Sequence, residues 1–127
     1  MPEFAHPYAC EVPRKMTKEE VFQAIRLDLA SELEAAYLYE ALVLATDDPV
    51  VKKVLGDIRD EEKEHFGELM ALMRYLDPNQ KWFWDEGEGE VVEMIQELGI
   101  DDDNAKKLIA AVKPVNDDDE PETDETL

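Results

Sequence analysis

From Phe22 onward a residue suited to burial recurs every three or four positions: Phe22, Ile25, Leu29, Glu32, Ala36, Tyr39, Val43. A second row runs Val51, Leu55, Ile58, Glu62, His65, Leu69, Leu72, Leu76. Alternation of threes and fours is the spacing of one helix face, so each row predicts an amphipathic helix with a packing seam. Three members break the apolar pattern: Glu32 in the first row, Glu62 and His65 in the second. Tyr39 adds one phenol. A carboxylate on a face meant for burial must be paired, protonated or bound to a metal, because burying it bare is costly.

The ends of both helices carry their own signals. Thr17-Lys-Glu-Glu20 reads as a capping box, and the run that follows to Thr46 has no Gly or Pro and is rich in Leu, Ala and Glu. Thr46-Asp-Asp-Pro49 stops the first helix and starts the second, with Asp48 as cap and Pro49 at the first helical position. Asp77-Pro78 stops the second. Two long helices joined by so short a turn must lie antiparallel. Glu32 and Glu62 then sit at similar distances from the turn and can share one level.

Around this hairpin the expected organisation is an extended, proline-bearing arm over 1–16, the helical pair over 17–78, short helices over 79–113 and an acidic disordered tail over 114–127. Lys81-Trp-Phe-Trp84 forms a small aromatic cluster. Gly87 and Gly89 are read as flanking a loop. Glu90 to Leu98, stopped by Gly99, and Asp103 to Val112 are read as two short helices. The fold class is all-α.

Charge narrows the possible partners. The chain has 33 acids against 13 bases, net −20, and residues 77–127 hold −13 of that total (17 acids, 4 bases). Nucleic acid is excluded as a partner, since phosphate binding needs a basic footprint. An acidic field attracts cations such as Fe²⁺, although solubility alone accounts for the same charge. Cys10 is the single cysteine, which leaves no intrachain disulfide and no thiolate zinc site. Met1 to Cys10 lacks the pattern of a signal peptide, and no apolar run is long enough to span a membrane. A cytoplasmic location is expected.

The seam residues decide the chemistry. A Glu and a His at i and i+3 face the same way and can hold one ion. Carboxylate and imidazole suit iron. Ferritin-like bundles build two-metal sites from a lone Glu on each of two helices and Glu-x-x-His on each of the other two. One hairpin of this chain supplies half of that set. Two copies about a two-fold axis supply four Glu and two His, and also cover an apolar seam that one hairpin leaves open. The competing reading is structural: His65 as a core histidine, Glu62 paired with Arg59 and Glu32 with Arg26. Tyr39 is read equally as a phenol beside the metal and as core with its hydroxyl satisfied. Glu34 lies off the seam, either lining an approach for cations or as an ordinary surface acid. His6 has no partner at ligand spacing.

Ser31-Glu-Leu-Glu-Ala35, Tyr39, Thr46-Asp-Asp-Pro49 and Arg59-Asp-Glu-Glu-Lys-Glu-His65 together resemble the encapsulated ferritins, two-helix ferritin-like proteins that oxidise iron inside encapsulin nanocompartments. The resemblance covers about residues 17 to 78. It implies a ferroxidase with a di-iron centre of two ions per dimer, ligated by Glu32, Glu62 and His65 across the interface, with Tyr39 beside them. It also implies dimers assembled into a ring, typically a decamer, within an encapsulin shell that stores the mineral. Glu34 matches an acid of the entry route, whereas Ser31 replaces a further glutamate found in some members. Asp117 to Leu127 does not look like the shell-targeting peptide with which members often end. An acidic linker ending at Leu127 suits a segment cut from a chain fused to its shell. The rival of another class is a non-catalytic helical metal-binding or cargo-adaptor module. A rubrerythrin-type peroxide reductase would normally need a Cys₄ iron site, which one cysteine cannot supply.

Overall fold

Thr17 begins the first helix, α1 (Lys18–Ala45), through the expected capping box: its hydroxyl accepts from the Glu20 amide at 3.2 Å, and its own amide donates to the Glu20 carboxylate at 3.0 Å. The computed structural model describes residues 12–122. Most of the 1–16 arm, with His6 and Cys10, and the last five residues of the acidic tail lie outside them. Thr46, Asp47 and Asp48 link α1 to α2 (Pro49–Leu76). Asp48 caps α2 by accepting from the Val50 and Val51 amides at 2.9 and 3.1 Å. Among the described residues there are helices and no strands. The all-α hairpin expected from the two rows is what forms.

In α1 the packing row is the one read from the sequence. Phe22, Ile25 and Leu29 are buried, and Glu32, Ala36, Tyr39 and Val43 are half-buried. In α2 the row is turned by part of a helical step. Leu55, Ile58, Glu62, Leu69 and Leu76 of the expected row are half-buried, but Arg59, Phe66 and Met73 from the adjacent row join them, Met73 most deeply. Val51, His65 and Leu72, placed on the seam by spacing alone, stand at its exposed edge. The reason is geometric: a 3.6-residue helix drifts against a seven-residue repeat, so over 28 residues two adjacent rows compete for the inner face.

The chain divides after Leu76, and residues 77–127 form a second unit. Asp77, buried, opens α3 (Gln80–Glu97) by accepting from the Asn79 amide at 3.2 Å and the Gln80 side-chain amide at 2.9 Å. Here the sequence expectation needs correction. Gly87 and Gly89 flank no loop; α3 runs straight through both, and the aromatic cluster and the helix expected from Glu90 are one 18-residue element. Each glycine costs a helix about 1 kcal/mol relative to alanine. The cooperative gain of a long helix, the left-handed cap at its end and the Lys81–Asp85 ion pair one turn apart offset that. Gly99, at φ 68°, ends α3 in a left-handed cap, with its own amide bonding Gln96 and that of Ile100 reaching back to Ile95. Asp102 then caps α4 (Asp103–Ala111) through the Ala105 amide at 2.8 Å. Beyond Pro114, where no order was expected, Asp117–Asp119 make one 3₁₀ turn, and the Trp82 indole N–H donates to the Asn116 carbonyl at 3.0 Å.

Candidate metal centre

Level matching follows from counting. Glu32 lies fourteen positions before Thr46, and Glu62 fourteen after Asp48. At 1.5 Å per residue both are about 21 Å from the turn. The outcome is a cluster in which Glu32, Glu62 and His65 bring one ligand atom each within 4.8 Å of one another. His65 Nδ1 stands 3.6 Å from Glu32 Oε2 and 3.6 Å from Glu62 Oε2. That is too long for a hydrogen bond. Ligands of a single ion with bonds of about 2.1 Å lie roughly 3.0 Å apart when adjacent and 4.2 Å when opposite. Both distances fall between those limits.

The acids are turned inward and the imidazole outward. The Glu32 and Glu62 side chains are 22% and 18% exposed, and that of His65 48%. Glu32 Oε2 is fully buried yet has no hydrogen-bond partner among the described residues. An acceptor left in that state costs about 1–3 kcal/mol, more when charged. A cation at the meeting point would remove the cost, so the residues present fit a divalent metal, and their oxygen and nitrogen donors fit iron. Outside the three ligand atoms the site opens into a cleft of about 290 Å³ lined by Asp28, Ser31 and Glu68 as well as Glu32 and His65.

The cations that could have neutralised this cluster are engaged elsewhere. Arg59, read as a possible mate for Glu62, pairs with Glu40 across the hairpin and with Asp60 beside it, at 3.0 Å. Both acids push the guanidinium further up, with their hydrogen bonds as the leading causes. Arg26 lies with its guanidinium 4.6 Å from the centre of the Phe22 ring, a cation–π contact. The Arg59–Glu40 pair was missed because its members are nineteen residues apart on different helices.

The remaining candidates stand apart from the cluster. Tyr39 is half-buried two turns beyond Glu32 on the same face of α1. Glu34 is exposed, turned about 200° around α1 from Glu32.

Residues 11–84 match the EncFtn-like family model. The encapsulin nanocompartment cargo protein EncC of Myxococcus xanthus is 43% identical over 75 residues, 59% of this chain and 58% of that protein. A ferritin-like–encapsulin shell fusion protein of Pyrococcus furiosus is 47% identical over 64 residues, half of this chain but 19% of the fusion. The chain thus spans little more than half of one relative and a fifth of the other. The crystal structure of the encapsulated ferritin domain from Pyrococcus furiosus superposes with a TM-score of 0.62 at 38% identity, over 76% of this chain and 96% of that domain. No helix among the described residues is long and apolar enough to cross a membrane. A hairpin that levels two glutamates with a Glu-x-x-His histidine, matched by the family model over more than half its length, makes this chain a member of the EncFtn-like family.

Proposed function

We propose that the chain is a ferroxidase that takes Fe²⁺ as substrate and works as a pair of hairpins. The observation that carries this reading is the buried, unpartnered Glu32 oxygen 3.6 Å from His65, with Glu62 at the same distance on the other side. Two copies about a two-fold axis would bring four carboxylates and two imidazoles to two iron ions. Support for pairing comes from the surface beside the site. Leu38 and Leu42 of α1 and Val54 and Leu72 of α2 are 41–52% exposed. By helical angle they flank the side toward which His65 turns. A second hairpin laid there would cover this apolar edge and close the 290 Å³ cleft.

Bound iron supplies the redox step, each Fe²⁺ giving one electron to O₂ or peroxide. The protein's part is electrostatic and positional. Four carboxylates offset the charge of two ferrous ions and favour the ferric products, whose charge is higher. His65 presents Nδ1 to one position and, being half-exposed, leaves room beside it for an oxidant. Tyr39 stands on the same face as a hydrogen-bond donor. Exposed Glu34 serves the approach of cations from solvent. Residence within an encapsulin compartment accords with what the relatives are named for, and further assembly into a ring, typically a decamer, is what the motif resemblance implies.

The test is an anaerobic Fe²⁺ titration followed by oxygen. The wild type should develop near-ultraviolet ferric absorbance quickly, and its mass by light scattering should rise to a dimer or multiple with Fe²⁺. Glu32→Ala and His65→Ala should abolish both. A protein whose iron oxidises no faster than free Fe²⁺, in wild type and variants alike, would be a binding or cargo-adaptor module instead.

A further inference from the structure

The second unit holds a cleft that iron chemistry does not use. It measures about 460 Å³ and lies between α3, α4 and the segment that follows α4. Its apolar wall comes from Val92, Ile109, Val112 and Val115. The remaining lining is acidic. Glu86, Gly89, Glu90 and Glu93 occupy positions i, i+3, i+4 and i+7 of α3 and so share one face, with Glu86 and Gly89 half-buried and Glu90 and Glu93 exposed. Asp117 adds a fourth acid from the following segment, and Lys113 is the one cation lining the cleft among the described residues.

Space and charge together say what would fill it. Gly89 removes a side chain from the middle of the acidic wall, and a Cβ built there meets nothing within 4 Å. Glu86 is held above the ordinary carboxylate range, chiefly by its burial and then by repulsion from Asp117, Glu90, Glu93 and Glu120. Glu86 is half-buried, whereas Glu90, Glu93 and Asp117 are exposed and open to a charge arriving from solvent. An anionic or purely apolar occupant would leave this repulsion in place. A cationic one with apolar side chains would relieve it and cover the valines and the isoleucine at the same time.

We infer that the cleft between α3 and α4 docks a short protein segment in which lysine or arginine flanks apolar side chains. The apolar groups lie against Val92, Ile109, Val112 and Val115, and the cations reach Glu86, Glu90, Glu93 and Asp117. The cleft belongs to the unit after Leu76, whereas Glu32, Glu62 and His65 belong to the unit before it, so docking does not depend on whether the hairpin oxidises iron. Members of the pair formed by cleft and segment should separate with rising salt, because rim charges are screened.

Fluorescence anisotropy of a labelled peptide alternating lysine and leucine, titrated with the full chain, tests this. Gly89→Leu fills the cleft while favouring helix, and should weaken binding about tenfold or more with no loss of thermal stability. Glu93→Gln should weaken it severalfold. Glu88→Gln removes the same charge from α3 at an exposed position outside the cleft and should change nothing. Three results would overturn the proposal: unchanged binding by Gly89→Leu, equal losses for Glu88→Gln and Glu93→Gln, or equal affinity for an all-lysine peptide. The second would reduce the effect to net charge, and the third would remove the apolar wall from it.

Discussion

Replacing Glu32 by glutamine distinguishes a metal ligand from a structural acid, because the two roles predict opposite signs. The change keeps the side chain's size and removes its charge. In the metal-free protein Glu32 and Glu62 oppose each other with ligand oxygens no more than 4.8 Å apart. Coulomb's law gives that repulsion as about 3.5 kcal/mol at an effective dielectric of 20 and about 0.9 kcal/mol in water. His65, half-exposed beside them, keeps the site wet enough that the lower part of the range applies. Glu32→Gln should therefore stabilise the metal-free protein by about 1–2 kcal/mol, a rise in Tm of roughly 4–8 °C for a chain of this size. With anaerobic Fe²⁺ at a hundred times its Kd the order should invert. The wild type gains about 2.7 kcal/mol by mass action and the variant gains little. The assay is thermal unfolding at pH 8, above the ordinary imidazole range, with and without metal. A metal-free variant less stable than wild type would refute the reasoning, since it would mean that the Glu32 carboxylate is used in an ordinary ion pair.

Two further outcomes concern the frame that holds the site. Glu20 is pulled down to about 2, first by its hydrogen bond from Arg14 and then by the Thr17 amide. A depressed carboxylate stabilises the fold above its ordinary titration near 4.5, and the benefit is lost as pH falls from there toward 2. The urea midpoints of wild type and Glu20→Gln should thus converge between pH 5 and 2, and parallel curves would argue against the box. Phe22→Ala empties the most deeply buried position of the hairpin, 1% exposed, and removes the ring under Arg26. It should cost about 3 kcal/mol or more in denaturant unfolding.

What could be read from the sequence divides by the range of the interaction. Capping at Thr17 and Asp48, the left-handed stop at Gly99 and the seam of α1 all depend on residues within a turn or two of each other, and spacing reveals them. The three seam outliers were legible because they broke a pattern. Other features needed coordinates. Which of two adjacent rows of α2 faces inward is settled by α1 packing against it, so His65 emerged half-exposed rather than buried. The Arg59–Glu40 pair and the Trp82–Asn116 bond join residues far apart in the chain, and no periodicity announces them. Gly87 and Gly89 misled because a helix-breaking tendency of about 1 kcal/mol each is small beside the cooperative gain of an 18-residue helix.

One hairpin carries a lone glutamate and a single Glu-x-x-His, and this has a kinetic consequence on the two-copy reading. At dilution, below the dissociation constant of the pair, the oxidation rate should become second order in chain, because the active species is assembled by collision. Every inherited change at positions 32, 62 or 65 would strike both halves of the centre at once. Confinement at high local concentration would then act as an on-switch in its own right, with no conformational change required.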